Sequence, residues 1–316
     1  MTPTEPLLFA ASHHYRPMAA ELVALGGLEL GRLEQREFPD GERYQRLLTP
    51  VAGRRVVVLA GTIDDTATLT LYDLAYTVVK AGAMRLTLVI PYFGYSTMER
   101  MEHEGEVVTA KARARLLSSL PPAHHGNDVL LLDLHTGGLP HYFEDSLTPV
   151  HLSARSIVLE QARLLGGEDC ILACTDAGRA KWVESLANDL GTTAAFVFKQ
   201  RLDGSTTRIT AVSAAVAGRR VVIYDDMIRT GGSLIDAARA YREAGATRVS
   251  AIATHGLFPG EAAERLRECG LFDHIVCTDS HPRPRQVAEG GGFLRVLSLA
   301  PLLHRALTAT EPGPTP

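Results

Sequence analysis

The sequence lacks the features of a protein that coats nucleic acid, is exported or spans a membrane. Its formal net charge of −4 excludes a generally basic surface for binding nucleic acid. Residues 1–17 contain neither a basic segment nor a long apolar one, so no signal peptide is expected. No run of about 18 uncharged apolar residues occurs, which predicts that the chain has no membrane span.

Cysteine and lysine are both scarce. The four cysteines show no CxxC pairing of the zinc-site type, and we interpret them as reduced core residues of a cytoplasmic protein. Among the 32 Lys and Arg residues, the only lysines are Lys80, Lys111, Lys181 and Lys199. Lys199 follows a strand-like run in FVFKQRL, and an ammonium group is a more compact phosphate-binding charge than a guanidinium. A lysine at this place in so arginine-rich a chain indicates a phosphate-binding role, with a solvated strand-end charge as the alternative.

The chain is rich in short apolar runs, which other segments separate at regular intervals. Its 316 residues, 46% hydrophobic and 22% charged, have the composition of a globular protein and the length of two domains. Short β-branched runs alternate with helical stretches, as in RRVVVLAGT, TLYDLAYTVVKAGA and MRLTLVIPYFG. This alternation predicts parallel sheets that helices cover on both faces. We expect the polar segments CTDAG, FKQR and YDDMIRTGG at the carboxyl ends of sheet strands, where such sheets bind ligands.

The sequence also contains two related halves. The run GRRVVVLAGT at 53–62 is similar to GRRVVIYDD at 218–226, and each continues through a helix into a second apolar run. We therefore predict two domains of one fold, 1–148 and 149–316. The last helix, at about 297–308, is expected to pack back on the first domain.

One stretch, VVIYDDMIRTGGSLIDAA, has the pattern of a sugar-phosphate site. An apolar run leads to Asp225 and Asp226, and the segment TGGS, beginning at Thr230, opens a helix. Glycines allow a close backbone approach, and a helix N-terminus offers N–H groups to an anion. Two carboxylates suit the neighbouring hydroxyls of a ribose, so the stretch predicts a phosphopentose site. The alternative is an ordinary helix that Thr230 or Ser233 caps.

Seven segments together resemble one known family. YDDMIRTGGSL resembles the phosphoribosyl pyrophosphate (PRPP) loop of type I phosphoribosyltransferases and of ribose-phosphate pyrophosphokinases. Six more resemble segments of the second group: REFPDGERY, IPYFGY, LLDLHTGG, FKQR, ATHGLFPGEAAERL and VLSLAPLLHRAL. The sequence is therefore identified as a member of the ribose-phosphate pyrophosphokinase family. This resemblance implies an α/β fold with two tandem type I phosphoribosyltransferase-like domains, each a mainly parallel sheet flanked by helices.

The resemblance also implies a reaction and a set of site residues. A diphosphoryl group passes from Mg-ATP to O1 of ribose 5-phosphate, giving PRPP and AMP, with Mg²⁺ as the metal. The implied catalytic residues are Lys199 and Arg201, and the implied metal ligands are His135 and Asp176. The residues implied to bind ribose 5-phosphate and PRPP are Asp176, Asp225, Asp226, Met227, Ile228, Arg229, Thr230, Gly231, Gly232 and Ser233. Those implied to bind ATP are Phe38, Asp40, Glu42, Thr97, Met98 and Arg100.

Some histidines and acids have a simpler interpretation. Asp133 and His135 lie two apart after an apolar run, and strand alternation predicts that both are on one face. A lone histidine at a strand end is more often structural, and PDGE by itself is a turn. Two further histidine pairs lack a third and fourth metal ligand at useful spacing, and we interpret them as surface or loop residues: His13–His14 and His124–His125.

The segment YSTMERMEHEGEVV departs from the family. Where relatives carry a basic lid over ATP, it has the same length but holds four glutamates against Arg100. Thr97 and Met98 stand where the family has an Arg and a Gln that contact ATP. Each phosphate contact is worth about 1.5–3 kcal/mol, so we expect weaker closure over ATP, unless the acids only face solvent. Elsewhere, Arg179 replaces a glycine of the ribose 5-phosphate loop, and Arg229 an acid of the PRPP loop.

Three functions stay open on the sequence. The first is the transfer of diphosphate from Mg-ATP to ribose 5-phosphate. The second is a divergent diphosphotransferase with another donor or a larger ribosyl acceptor. The third is a non-catalytic subunit that binds PRPP or ribose phosphate. The resemblance also implies a homo-oligomer built from dimers, up to a hexamer, and neither nucleic acid nor a membrane is an expected partner.

Overall fold

The protein folds as two compact units, each built on its own sheet. The first unit holds the chain up to Leu152 together with the segment from Ser298, and the second runs from Ser153 to Leu297. The computed structural model describes residues 5–144, 146–201 and 207–309, and the side chains of 199–201 and 207–210 lie outside that description.

The first unit is a parallel sheet with helices and one hairpin. Within the described residues its six parallel strands have the order β2-β1-β5-β6-β7-β8, and β3 and β4 form a separate antiparallel hairpin. The elements are β1 (Leu7–Ala10), α1 (Arg16–Ala24), β2 (Glu29–Leu30), β3 (Leu33–Glu37), β4 (Arg43–Leu47), β5 (Arg55–Leu59), α2 (Asp65–Lys80), β6 (Arg85–Ile90), α3 (Thr109–Ser118), β7 (Asn127–Leu132) and β8 (Leu147–Leu152).

The second unit repeats this plan. Its six parallel strands, in the part that the structure describes, have the order β10-β9-β13-β14-β15-β16, and β11 pairs with β12 as an antiparallel hairpin. The elements are α4 (Arg155–Gly166), β9 (Cys170–Ala173), α5 (Ala180–Leu190), β10 (Thr193–Ala195), β11 (Val197–Arg201), β12 (Thr207–Val212), β13 (Arg220–Ile228), α6 (Gly232–Glu243), β14 (Arg248–Gly256), α7 (Ala262–Glu268), β15 (His274–Thr278), α8 (Arg283–Ala288) and β16 (Leu294–Leu297).

The two sheets have one topology. In the first sheet β1 lies between β2 and β5, and in the second β9 lies between β10 and β13. In both, the later strands follow in sequence order. The hairpin is inserted at the same point in both units, after the second sheet strand. The internal similarity of the sequence therefore corresponds to a repeated architecture.

Residues of β13 show why the sheets are buried on both faces. Val221 and Ile223 contribute to one apolar cluster, and Val222 and Tyr224 to another. Because successive side chains of a strand point to opposite faces, a continuous apolar run needs helices on both sides. The predicted α/β fold with mainly parallel sheets is confirmed.

The final helix, α9 (Ala300–Ala309), belongs to the first unit although it follows the second in sequence. Its His304 Nε2 lies 2.7 Å from the carbonyl oxygen of Gly26, just after α1. This contact ties the C-terminal helix to the end of α1.

The position of FKQR differs from the prediction. The segment lies in β11, which pairs with β12, and so it is part of a hairpin and not at the carboxyl end of a sheet strand. Short apolar runs look alike in a hairpin and in a central strand, so the sequence could not separate them.

Among the described helices, none has the length and apolar character needed to cross a bilayer.

Candidate functional site

Two neighbouring strands of the second unit bring the acidic pair together with the loop after β9. Ala173 of β9 lies opposite Ile223 of β13, so both strands end at the same edge of the sheet. The loop after β9 carries Thr175 and Arg179, and both contact the acids of β13. The strand continues to Ile228, so the acids lie within β13 and not at its end as the sequence predicted.

Asp225 and Asp226 share a mostly buried polar pocket. The Thr175 hydroxyl donates to Asp225 Oδ2 at 3.0 Å, and the Asp226 N–H donates to Asp225 Oδ1 at 2.9 Å. Burial raises the pKa of Asp225 to about 7, and the adjacent Asp226 adds to the rise, while Thr175 and Arg179 oppose it. The pair therefore holds a proton to a higher pH than an isolated carboxyl group does.

Arg179 provides the positive charge of this pocket. One of its Nη nitrogens forms an ion pair with Asp226, whose side chain is only 9% exposed. The sequence marked Arg179 as a departure from the family but gave it no partner. Its partner lies 47 positions away, and only the alignment of β9 with β13 makes the contact.

The start of α6 has the form of an anion site. Gly231 has φ of 80°, and a Cβ placed there would lie 2.9 Å from Leu266 Cγ, so the position requires glycine. No side chain caps the helix, contrary to the alternative in which Thr230 or Ser233 does. The first N–H groups of α6 therefore remain available to a ligand at the positive end of the helix.

The remaining residues of the PRPP loop have different surroundings. Thr230, Gly232 and Ser233 are exposed, as is Arg229. The carbonyl oxygen of Thr230 accepts a hydrogen bond from Arg265 Nη2 at 3.1 Å, which fixes the loop. The other two predicted members, Met227 and Ile228, belong to β13, where Ile228 is buried in the apolar core and Met227 is half-buried. The core position of Ile228 favours a structural role for its side chain.

Asp176 begins a short 3₁₀ turn after β9. Its Oδ1 accepts a hydrogen bond from the Gly178 N–H at 2.8 Å, and the side chain is half-buried. The carboxylate thus both caps the turn and lies one residue from Thr175, at the edge that carries the acidic pair.

His135 belongs to the first unit, in the loop after β7. That strand ends at Leu132, and Asp133 has a positive φ of 36°. Contrary to the prediction, strand alternation therefore does not extend to Asp133 and His135. Asp133 is buried, and His135 is half-exposed. The N–H of Leu134 donates to His151 Nε2 at 3.1 Å, which fixes the loop backbone.

The donors present suit a metal that arrives with its substrate. Within the described residues, no group of three or more His, Cys, Asp or Glu side chains is close enough to hold a metal ion. Mg²⁺ is typically held by one or two protein ligands together with water and substrate phosphates. Separate single donors such as His135 and Asp176 fit that mode better than they fit a protein-only cage.

The FPDGE segment is the turn of the β3–β4 hairpin. The Phe38 N–H donates to the Glu42 carbonyl at 2.8 Å, and the Glu42 N–H donates to Asp40 Oδ1 at 3.1 Å. Gly41 has φ of 90°, which the turn requires. The Phe38 ring is 43% exposed, so the hairpin presents an aromatic face at its tip.

The segment YSTMERMEHEGEVV contains one arginine, Arg100, which forms ion pairs with two of its glutamates. Arg100 lies 3.8 Å from Glu99 and 3.7 Å from Glu102, and its side chain is 72% exposed. Thr97 is half-buried and Met98 is exposed. The pair with Glu102 is exposed on both sides and contributes little to stability, whereas the Glu99 side chain is only 15% exposed. Both glutamates place negative charge around the guanidinium that is implied to contact ATP.

The two predicted catalytic residues are located by their backbone alone. Lys199 lies opposite Ile209 and Arg201 opposite Thr207 in the β11–β12 hairpin, with an irregularity between Phe198 and Lys199. Their side chains lie outside the described residues, so their roles stay predictions.

Thr175 is a residue of the pocket that the sequence analysis did not identify, although it did identify the neighbouring Asp176 in CTDAG. A threonine beside an aspartate at the end of a strand was a usable signal.

Comparisons with known proteins agree over nearly the whole chain. Residues 7–120 match the N-terminal domain of ribose phosphate pyrophosphokinase, and residues 185–307 match the phosphoribosyl synthetase-associated domain. The chain is 33% identical over 294 residues to the ribose-phosphate pyrophosphokinase of Chromobacterium violaceum, covering 92% of this chain and 87% of the relative. It is 31% identical over 313 residues to that of Ralstonia nicotianae, covering 98% and 96%.

A solved structure is similar as well. The crystal structure of phosphoribosylpyrophosphate synthetase from Mycobacterium smegmatis superposes with a TM-score of 0.84 at 27% identity, covering 96% of this chain and 98% of that one. Full-length similarity in sequence and in fold leads to one conclusion: the chain belongs to the ribose-phosphate pyrophosphokinase family.

Proposed function

We propose that the protein transfers a diphosphoryl group from Mg-ATP to O1 of ribose 5-phosphate, giving PRPP and AMP. The observation that carries the proposal is the acidic pair beside the uncapped start of α6, in a chain that resembles ribose-phosphate pyrophosphokinases over nearly its full length. The relatives support this reaction, and none of those named above supports another donor or a non-catalytic role.

The ribose is proposed to bind through its diol and its 5-phosphate. Asp225 and Asp226 accept hydrogen bonds from neighbouring hydroxyls, while the N–H groups at Gly232 and Ser233 hold the phosphate. Anchoring both ends of the sugar fixes O1, which lowers the entropic cost of the reaction.

The transfer itself needs charge neutralisation. O1 of the ribose attacks the β-phosphorus of ATP and loses its proton, the bond from that phosphorus to the oxygen bridging to the α-phosphate breaks, and AMP leaves with that oxygen. Lys199 and Arg201 are proposed to stabilise the negative charge on the moving group. The chemistry that bound Mg²⁺ supplies is neutralisation and orientation of the donor phosphates, with His135 and Asp176 as its proposed protein ligands.

The donor nucleotide is proposed to bind through the first unit's exposed segments. Phe38 offers a ring for stacking on a base, and Asp40 and Glu42 offer carboxylates beside it. Thr97, Met98 and Arg100 are the lid positions implied to contact ATP. Because glutamates engage Arg100, we expect a weaker affinity for ATP than a basic lid would give. Dimers, assembled up to a hexamer, are the proposed quaternary state.

The test is an AMP-release assay with ribose 5-phosphate, Mg²⁺ and ATP, run on the wild type and on Lys199→Ala. We expect AMP formation that falls by about 10²–10³-fold in the variant. Lys80→Ala is the matched control, because it removes an exposed lysine at the end of α2 and should leave turnover unchanged. No turnover, combined with calorimetric binding of PRPP, would overturn the proposed reaction and favour a binding subunit. Turnover with another nucleotide only would favour a different donor.

A further inference from the structure

The segment YSTMERMEHEGEVV, residues 95–108, divides into two parts. In its proximal part, residues 95–99, every residue except Met98 is buried or half-buried. In its distal part, residues 100–107, every residue is exposed. The Tyr142 hydroxyl donates to the carbonyl oxygen of Glu99 at 2.5 Å, at the boundary between the two parts. The proximal part is therefore packed against the first unit, and the distal part is open to solvent.

Tyr95 begins the segment in a conformation that its surroundings must hold. Its φ of 61° is rare for a bulky side chain and costs free energy. The N–H of the preceding Gly94 donates to Thr62 Oγ1 at 2.8 Å, and a Cβ at Gly94 would overlap the Thr62 carbonyl oxygen. The chain therefore reaches Tyr95 along one closely packed path, and the strain at Tyr95 has to be offset by contacts of its own side chain.

The Asp65 carboxylate, in the first turn of α2, supplies such a contact. The Tyr95 hydroxyl donates to Asp65 Oδ1 at 2.7 Å. Nη2 of Arg113, in α3, donates to the same oxygen at 2.6 Å. The Arg113 guanidinium also lies 5.3 Å from the centre of the Tyr95 ring, within the range of a cation–π contact. The three side chains thus form one cluster, which we call the Asp65 cluster.

The two donors to Asp65 come from opposite ends of the segment. Tyr95 is its first residue, and α3, which carries Arg113, begins directly after its last residue. Between them, the Met98 N–H donates to the Tyr95 carbonyl oxygen at 2.8 Å, and the Met98 carbonyl oxygen accepts from the Ala110 N–H at 3.3 Å. One carboxylate therefore joins both ends of the segment, and backbone hydrogen bonds connect the proximal part to α3.

Asp65 stabilises this arrangement locally. Its side chain is 63% exposed, and exposed ion pairs add little to the free energy of unfolding of a whole protein. The Arg113 side chain is only 25% exposed, and hydrogen bonds with charged partners are stronger than neutral ones. Loss of the carboxylate should therefore loosen the proximal part of the segment without unfolding the unit.

We propose that Asp65 is a positioning residue for the nucleotide, which holds Thr97 and Met98 in place by joining Tyr95 to Arg113. The inference rests on the proposed function, in which Thr97 and Met98 are lid positions that contact ATP. With the Asp65 cluster intact, the proximal part of the lid is formed before ATP binds. Less conformational entropy is then lost on binding, which favours a higher affinity for ATP.

Hydrogen–deuterium exchange and binding measurements on Asp65→Ala test the proposal. We expect the peptide that covers residues 95–99 to exchange about fivefold faster or more. The calorimetric Kd and the KM for ATP should rise about three- to tenfold, while kcat and the KM for ribose 5-phosphate change by less than about twofold. Asp65→Asn keeps an acceptor oxygen for Tyr95 and should restore most of the wild-type exchange and affinity.

The matched control is Asp73→Ala, which removes an exposed acid of the same helix outside the Asp65 cluster and should leave exchange and ATP affinity unchanged. Tyr95→Phe, which removes only the hydroxyl, should loosen the same peptide and add little when it is combined with Asp65→Ala.

Three results would overturn the proposal. One is unchanged exchange of residues 95–99 in Asp65→Ala, and another is an unchanged Kd for ATP. The third is an equal rise of both KM values together with a lower melting temperature, which would indicate a general structural role. Exchange and calorimetry need no turnover, so a wild-type protein that releases no AMP would overturn the proposed reaction without deciding the role of Asp65.

Discussion

Arg179 and Asp226 form an ion pair that joins the loop after β9 to β13, within the pocket proposed for the ribose diol. The cation lies inside the acidic pocket and limits the negative charge that accumulates there. It also opposes the rise in the pKa of Asp225.

Replacing Arg179 should change the pH dependence of the reaction. Arg179→Ala removes a charge that lowers the pKa of Asp225, so that pKa should rise further. We expect the acidic limb of the kcat/KM profile for ribose 5-phosphate to move by about one unit to higher pH. Arg179→Lys should restore most of the wild-type profile, and Arg248→Ala, at the far end of β14, should leave it in place. An unchanged profile in Arg179→Ala would show that the ion pair does not tune the pocket.

The acidic pair should also make stability depend on pH. Because the folded-state pKa of Asp225 is raised to about 7, the folded protein binds this proton more tightly than the unfolded chain does. Stability is therefore lost as the pH rises from about 4 to about 7, through the range between the unfolded and the folded pKa of Asp225. Asp225→Asn should remove this loss, as measured by urea unfolding at several pH values. Asp236→Asn, an exposed acid of α6, should keep the wild-type slope.

The glycines at the start of α6 should differ in their tolerance of a side chain. Gly231→Ala combines a positive φ with a clash against Leu266, so it should destabilise the protein by about 1–3 kcal/mol. Gly232→Ala meets only Thr230 Oγ1, at 4.0 Å, and should leave the free energy of unfolding nearly unchanged. Equal losses in the two variants would contradict the geometry of this turn.

Removing the glutamates that engage Arg100 should improve ATP binding. Glu99→Gln/Glu102→Gln leaves the guanidinium without the two carboxylates at 3.8 and 3.7 Å. Since both contacts are long and Arg100 itself is 72% exposed, we expect the KM for ATP to fall by about two- to tenfold with a smaller change in kcat. Glu104→Gln removes the same charge from the same segment but not from these pairs, and its KM should stay closer to that of the wild type. Equal effects in both variants would mean that the general charge of the segment, and not the pairing of Arg100, sets the KM.

The sequence predicted the sheets well because apolar runs such as that of β13 are continuous and lie at regular intervals. It failed for FKQR, because a hairpin strand and a central strand share the same short pattern. The sequence also could not predict the side-chain geometry of the pocket around Asp225 and Asp226. The contact between Arg179 and Asp226 depends on which strands are neighbours, and that information is spread over the whole sheet.

The hairpins inserted at equivalent points of the two sheets have a further consequence. Because the architecture is repeated, the protein has two hairpins in equivalent positions, and each can carry its own functional residues. The first ends in an exposed aromatic ring at Phe38, and the second carries Lys199 and Arg201. The two equivalent insertions therefore hold different kinds of residue, and we propose that the first contacts the base of the nucleotide and the second the diphosphoryl group.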